Sequence, residues 1–205
     1  MDGSKAGENI KPGIAESSPV AIAPDGDVIF VVGDEQRRLR VHSVFLRTVS
    51  SVFRAMLGPH FREGANLSSD CPTVIPLPDD DPEAMEVIFN IVHFRLDAVK
   101  ERYEPGELLC LAVATDKYDM TGALRLSTRG WLRCEGIRDP DQLWKLAKAT
   151  YILRNYGVFR TVTMLLVVYH TGSFYRLNDD AEITFDFEDR LAGESKPGSN
   201  FHDVA

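Results

Sequence analysis

Between His42 and Met56 the sequence reads HSVFLRTVSSVFRAM, and its hydrophobic period leaves few folds open. Val44, Val49, Val52, Phe53 and Met56 recur at spacings near three and four, with Phe45 and Leu46 beside them. That spacing predicts a helix with a wide apolar face. Ser50 and Ser51 favour caps over helix interiors, so the helix bends or breaks there, and Gly58-Pro59 ends it. His42, Leu46, Ser50 and Phe53 form an H-x3-L-x3-S-x2-F pattern that follows a strand pair opened by Asp27. No base sits beside a nucleophile in it, and no pair of ligands faces a metal. It is a packing signature, which points to an interaction module and away from an enzyme.

The flanking segments carry their own periods. Val28 to Val32 is a continuous β-branched and aromatic run, as in a buried strand. Gly33-Asp34-Glu35-Gln36 is turn chemistry. Arg38 to Val41 alternates polar and apolar, so the two runs predict a hairpin. Residues 58 to 72 read as a loop with a short helical turn. Thr73 to Leu77 is a short strand confined to an edge or a bulge, because Pro76 cannot donate to a ladder. Asp81 is a good N-cap with Pro82 at the first helical position. Met85, Ile88, Val92 and Leu96, backed by Phe89 and Ile91, make the stripe of the helix that follows.

After Pro105-Gly106 a further helix carries Leu108, Leu111, Ala112 and Thr115, and a short one covers Gly122 to Leu132. Asp139-Pro140-Asp141 starts a helix with Trp144, Ala147 and Tyr151 on one side. Val158, Phe159, Val162, Leu165, Leu166 and Tyr169 mark the last. Order is expected from about Asp25. Beyond Gly172 only Ile183 to Phe187 alternates, as a short strand or a partner-binding strip.

Charge and cysteine usage exclude several functions. The formal net charge of −8 disfavours a duplex-binding face, whose affinity rests on neutralising phosphates. Cys71, Cys110 and Cys134 are an odd, widely spaced set, so free thiols in a reducing compartment are expected. Cys110 reads as a core residue. The N-terminus lacks the apolar segment of a signal peptide, and the longest apolar run, Met164 to Tyr169, is too short to span a bilayer. Asp79-Asp80-Asp81 reads as helix capping, because no glycine-bearing calcium loop surrounds it. None of the five histidines stands at zinc-ligand spacing, and His42 reads as a packed, hydrogen-bonded residue. Asp116-Lys117-Tyr118 reads as a helix-end salt bridge. No catalytic residue, cofactor site or metal site is predicted.

Taken in order, these residues resemble one family. Asp27-Val28 with His42, Leu46, Ser50, Phe53 and Met56 resembles the first half of a BTB (also called POZ) domain. Ile75-Pro76-Leu77 with Asp79 to Met85, and then Asp116-Lys117-Tyr118, resembles the second half. Leu77-Pro78-Asp79-Asp80-Asp81-Pro82, the D-K-Y-D run and Trp131-Leu132 are most similar to the BTB proteins of filamentous fungi. The resemblance covers about residues 25 to 130, and the helices from 139 to about 171 are similar to the helical extension that often follows such domains.

The resemblance implies an α+β fold, a small mixed sheet capped by a helical cluster, followed by a helical C-terminal extension. The expected division is a disordered tail over 1–23, the BTB domain over 24–132, the extension over 133–177 and a mostly flexible tail over 178–205. It implies a protein–protein interaction module that self-associates as a homodimer or higher oligomer, with a helix face packed on its symmetry mate. Many members are substrate adaptors that dock a cullin scaffold of a ubiquitin ligase through a hydrophobic-x-Glu loop motif. Phe61-Arg62-Glu63 occupies that loop, with Phe61 as the apolar anchor and Glu63 orienting the loop or pairing with a basic group. An unknown substrate protein would then be a further partner. Corepressor-recruiting members follow the histidine with a basic residue that pairs with the aspartate at position 27. Ser43 stands there, which argues against that charged pocket. The alternative is an oligomerisation scaffold or a transcription-related regulator without ligase function. The protein is expected in the nucleus or cytoplasm, without direct contact to nucleic acid or membrane.

Overall fold

The structure, a computed structural model, describes residues 18–59, 64 and 67–172. Its sheet has four strands, β1 (Val20–Ala21), β2 (Val28–Val32), β3 (Arg37–Val41) and β4 (Thr73–Leu77), in the order β1-β3-β2-β4. The continuous apolar run of β2 suits its interior position. It pairs antiparallel with β3, Phe30 opposite Leu39, and parallel with β4, Phe30 opposite Ile75. The hairpin turn needs Gly33, whose φ of +67° is joined by a Cβ position only 2.7 Å from the Pro82 ring. As Pro76 requires, β4 is an edge. Regular structure is already present before the Asp25 expected. β1 pairs parallel with β3, and Ile22 and Ala23 behind it are buried. A two-residue strand is too short to show a period.

Seven helices follow among the described residues. α1 (Ser43–Val49) and α2 (Ser51–Met56) are separated at Ser50, whose extended backbone breaks the helix where the serines predict. The Ser50 hydroxyl accepts from the Phe53 N–H at 3.0 Å and donates to the Tyr118 carbonyl at 2.6 Å. Phe53, Phe30 and Phe89 lie with ring centroids 5.3 to 6.0 Å apart and are fully buried, forming the centre of the core.

α3 (Pro82–Val92) starts at Asp81, whose carboxylate accepts from the Ala84 N–H at 2.7 Å. Met85, Ile88, Phe89 and Val92 are buried. Leu96 is not part of the stripe. The helix ends first, and Leu96 falls in a 3-10 turn (Leu96–Ala98) with 58 % of its surface exposed.

α4 (Pro105–Lys117) has a Glu104–Glu107 capping box and buries Leu108, Leu111, Ala112 and Thr115 as expected, while Cys110 is half-buried and not core. α5 (Thr121–Arg129) stops before Trp131 and Leu132, which are buried beyond it. α6 (Pro140–Ile152) buries Leu143, Leu146, Ala147 and Thr150, one position round from the expected face, so Trp144 and Tyr151 are half-buried. α7 (Tyr156–Tyr169) buries Val162 and Leu166. α6 packs on α4 and α7 on α6, which makes the sheet, the helical cluster and the extension one compact unit through Tyr169. Residues 1–17 of the tail expected over 1–23 and the strip Ile183 to Phe187 lie outside the described residues.

Candidate protein-interaction surface

The start of α1 is fixed from the sheet. Asp27, just before β2, accepts from the Ser43 N–H at 2.7 Å and from the Ser43 hydroxyl at 2.6 Å. An aspartate thus satisfies one of the free N–H groups at a helix start, where its charge also opposes the helix dipole. His42, the N-cap residue, makes no side-chain capping bond. Ser43 is therefore the partner of Asp27, which acts here as a structural clamp.

His42 and His93 form a second tie. The His42 N–H donates to His93 Nε2 at 3.0 Å, and His93 Nδ1 donates to the Phe89 carbonyl at 2.7 Å. Both bonds require the neutral ring with its proton on Nδ1. Burial, the first cause, and the neighbouring His42 push the pKa of His93 down, outweighing its backbone bonds and Asp27. His42 is half-buried, its Nε2 3.1 Å from the Asp25 carboxylate. A lowered folded-state pKa gives stability that is present above the unfolded value of about 6.5 and lost as the pH falls through the folded one. Melting temperatures are expected to drop below pH ~6.5 in the wild type and to drop less in His93→Gln, whose amide can both donate and accept. An identical acid slope in the variant would assign the loss to other groups.

On this clamp the outer side of α1 is apolar. Val44 is 60 % exposed and Phe45 37 %. Phe45 meets the rings of His42, His93 and Phe94 at 5.8, 5.1 and 6.4 Å. Phe94 is 79 % exposed and holds a φ of +58°. It closes α3 with bonds from its own N–H to Ile91 and from the Arg95 N–H to Asn90, where glycine is the usual residue. A bulky aromatic in the left-handed region, mostly in water, is a local cost. Arg95 Nη1 donates to the carbonyls of Ala21 and Ile22 at 2.9 and 3.2 Å, tying the edge beside β1 to the same loop. Exposed aromatic clusters of this kind mark interaction surfaces. Phe94 carried no period and was not legible as a site residue.

The remaining signature residues build the scaffold. Leu46, Ser50 and Phe53 are fully buried, and the Phe53 ring stacks on Tyr118 at 4.4 Å. Lys117, the last residue of α4, makes the expected helix-end salt bridge, with a partner distant in sequence. It reaches Asp80 Oδ1 at 2.8 Å, while the Tyr118 hydroxyl donates to Asp80 Oδ2 at 2.7 Å. Burial, then the bond to Asp80 and its charge, push the Tyr118 pKa far up. Asp116 is half-buried beside them. The middle aspartate of the acidic run is thus a tertiary pin, and only Asp81 caps the helix. Phe61 and Glu63 lie outside the described residues. Among the described residues no group of His, Cys, Asp or Glu could hold a metal, and no helix is long and apolar enough to cross a membrane.

Compared with known proteins, residues 25–129 match the family model described as the BTB/POZ domain. No curated protein matches the chain.

Proposed function

Since this chain belongs to the BTB/POZ domain family, a family of protein–protein interaction modules, we propose that it self-associates through the outer face of α1 and serves as a substrate adaptor for a cullin-based ubiquitin ligase. The self-association rests on one observation, the exposed Val44 and Phe45 on the helix that the Asp27–Ser43 clamp positions, with exposed Phe94 against Phe45. A helix face of this kind buries itself against its own copy across a two-fold axis. Light scattering over a dilution series is expected to give a dimer or larger species, and a strict monomer at the highest concentration would overturn the reading.

The adaptor role is supported by Phe61-Arg62-Glu63, at the loop position where cullin-binding members carry their hydrophobic-x-Glu motif, and by the helical extension of α6 and α7. The substrate would dock on that extension or on the tails. A cullin pull-down is expected to retain the wild type and to lose Phe61→Ala and Glu63→Lys, since truncating a buried anchor costs about 2 kcal/mol or more. Binding that survives both substitutions removes the adaptor role and leaves a non-catalytic oligomerisation scaffold or transcription-related regulator. We further read the protein as intracellular, nuclear or cytoplasmic, in keeping with three free cysteines, and as fungal, from the Leu-Pro-Asp-Asp-Asp-Pro and Asp-Lys-Tyr-Asp runs.

A further inference from the structure

The end of α5 and the turn between α6 and α7 border an open pocket of about 280 Å³. Arg125, Arg129 and Arg154 line it, with Asn155, Tyr156 and Gly157 at the start of α7, and among the described residues no carboxylate lies in its walls. In a chain with 31 acidic and 23 basic residues this is a local inversion of charge. None of the three guanidinium groups has a hydrogen bond or ion pair among the described residues, whereas Arg37, Lys100 and Lys117 elsewhere are each paired.

The arrangement runs against local preference in two ways. Arg125 and Arg129 are four apart on one helix, where like charges repel. Arg154 holds a φ of +55°. It follows the last turn of α6, with its N–H bonded to the Tyr151 carbonyl and the Asn155 N–H to the Thr150 carbonyl. Glycine is the usual residue at that place. The carbonyl ends of α5 and α6 favour Arg129 and Arg154 nearby, but they account neither for Arg125 nor for a long side chain in the left-handed region. Opposite them α7 opens. Asn155 Oδ1 accepts from the Val158 N–H at 3.3 Å, and the N–H groups of Tyr156 and Gly157 have no intrahelical acceptor. Arginines without a partner among the described residues and a helix start, lining one pocket, suit an anion.

We propose that this cavity binds a phosphorylated side chain of a partner protein. Three arginines lining one small pocket suit a single dianionic phosphate and its three acceptor oxygens. A nucleic acid would extend its charge over a surface whose net charge repels it. The proposal rests on the protein-interaction character of the family and on neither the α1 contact nor cullin docking, so failure here leaves both untouched.

The test is fluorescence anisotropy of the full chain at fixed ionic strength, with short labelled Gly-Ala peptides carrying phosphoserine, glutamate or serine, and with an oligothymidylate. The phosphoserine peptide is expected to bind at least about tenfold more tightly than the serine peptide. Arg125→Gln, Arg129→Gln and Arg154→Gly should each remove most of that preference. Arg154→Gly is the decisive variant, because glycine suits the left-handed position and the variant should melt no lower than the wild type. Equal binding of the phosphoserine and serine peptides would overturn the proposal, as would an unchanged preference in a folded Arg154→Gly or in Arg125→Gln and Arg129→Gln. Arginine-dependent binding of oligothymidylate tighter than that of the phosphopeptide would assign the cavity to nucleic acid instead.

Discussion

Replacing Asp80 by alanine is expected to lower the unfolding free energy by about 3 kcal/mol in urea titrations. Its side chain is 4 % exposed, and it accepts from the Tyr118 hydroxyl and from Lys117. Removing it leaves the buried hydroxyl without an acceptor, which costs about 1 to 3 kcal/mol. The Lys117 pair adds less, because that side chain is about half in water and a solvated pair contributes under about 1 kcal/mol. Tyr118 also stacks on Phe53 and receives the Ser50 hydroxyl at its carbonyl, so the α2–α4 contact loosens with it. In a double-mutant cycle, Asp80→Ala with Tyr118→Phe should cost less than the sum of the singles by about 1 to 2 kcal/mol, since no orphan remains.

The alkaline limb gives an independent check. Tyr118 has a raised folded-state pKa, so its stabilisation is complete below the unfolded value of about 10 and is lost above it as the unfolded chain ionises. Tyr118→Phe should flatten that loss. Strict additivity, or a loss below about 1 kcal/mol for Asp80→Ala, would show that Asp80 is a surface carboxylate and not a pin.

The contrast between Asp80 and Asp81 shows which parts of this fold are legible in the sequence. Asp81 caps a helix that begins at the next residue, so residue type and position suffice. Asp80 is held by residues 37 and 38 positions away, and no local pattern reports such a partner. The same division recurs along the chain. The β2–β3 hairpin, the break at Ser50 and the edge position of β4 follow from short-range preferences and were readable. The face of α6 was misplaced by one position because that helix packs against both α4 and α7, which smears a single stripe. Leu96 was assigned to the core because a regular period was continued through a helix end that Phe94 imposes with its left-handed backbone. Phe94, Asp80 and the arginine cavity are tertiary facts. Phe61 and Glu63 rest on family resemblance and on their place in the loop.

The α1 contact proposed above has its own sharp consequence, because an isologous contact counts every substitution twice. Phe94→Gly should act in opposite directions on fold and assembly. Glycine adopts the left-handed conformation without a Cβ clash, so the protomer is expected to be no less stable than the wild type. The lost aromatic surface, about 2 kcal/mol on each protomer when buried, should weaken the dimer by about 4 kcal/mol, or roughly a thousandfold in Kd. Phe45→Arg should go further. It removes the ring that joins His42, His93 and Phe94 and sets like charges on both sides of the axis, where juxtaposed charges cost several kcal/mol. Sedimentation equilibrium is expected to find Phe45→Arg monomeric at concentrations where the wild type is associated, with circular dichroism unchanged. If Phe94→Gly melts lower than the wild type, Phe94 serves the core and its exposure has another cause. If both variants associate as the wild type does, the α1 face is not the contact, and self-association must be sought on another surface, with the exposed Met164, Val167 and Val168 of α7 the next to substitute.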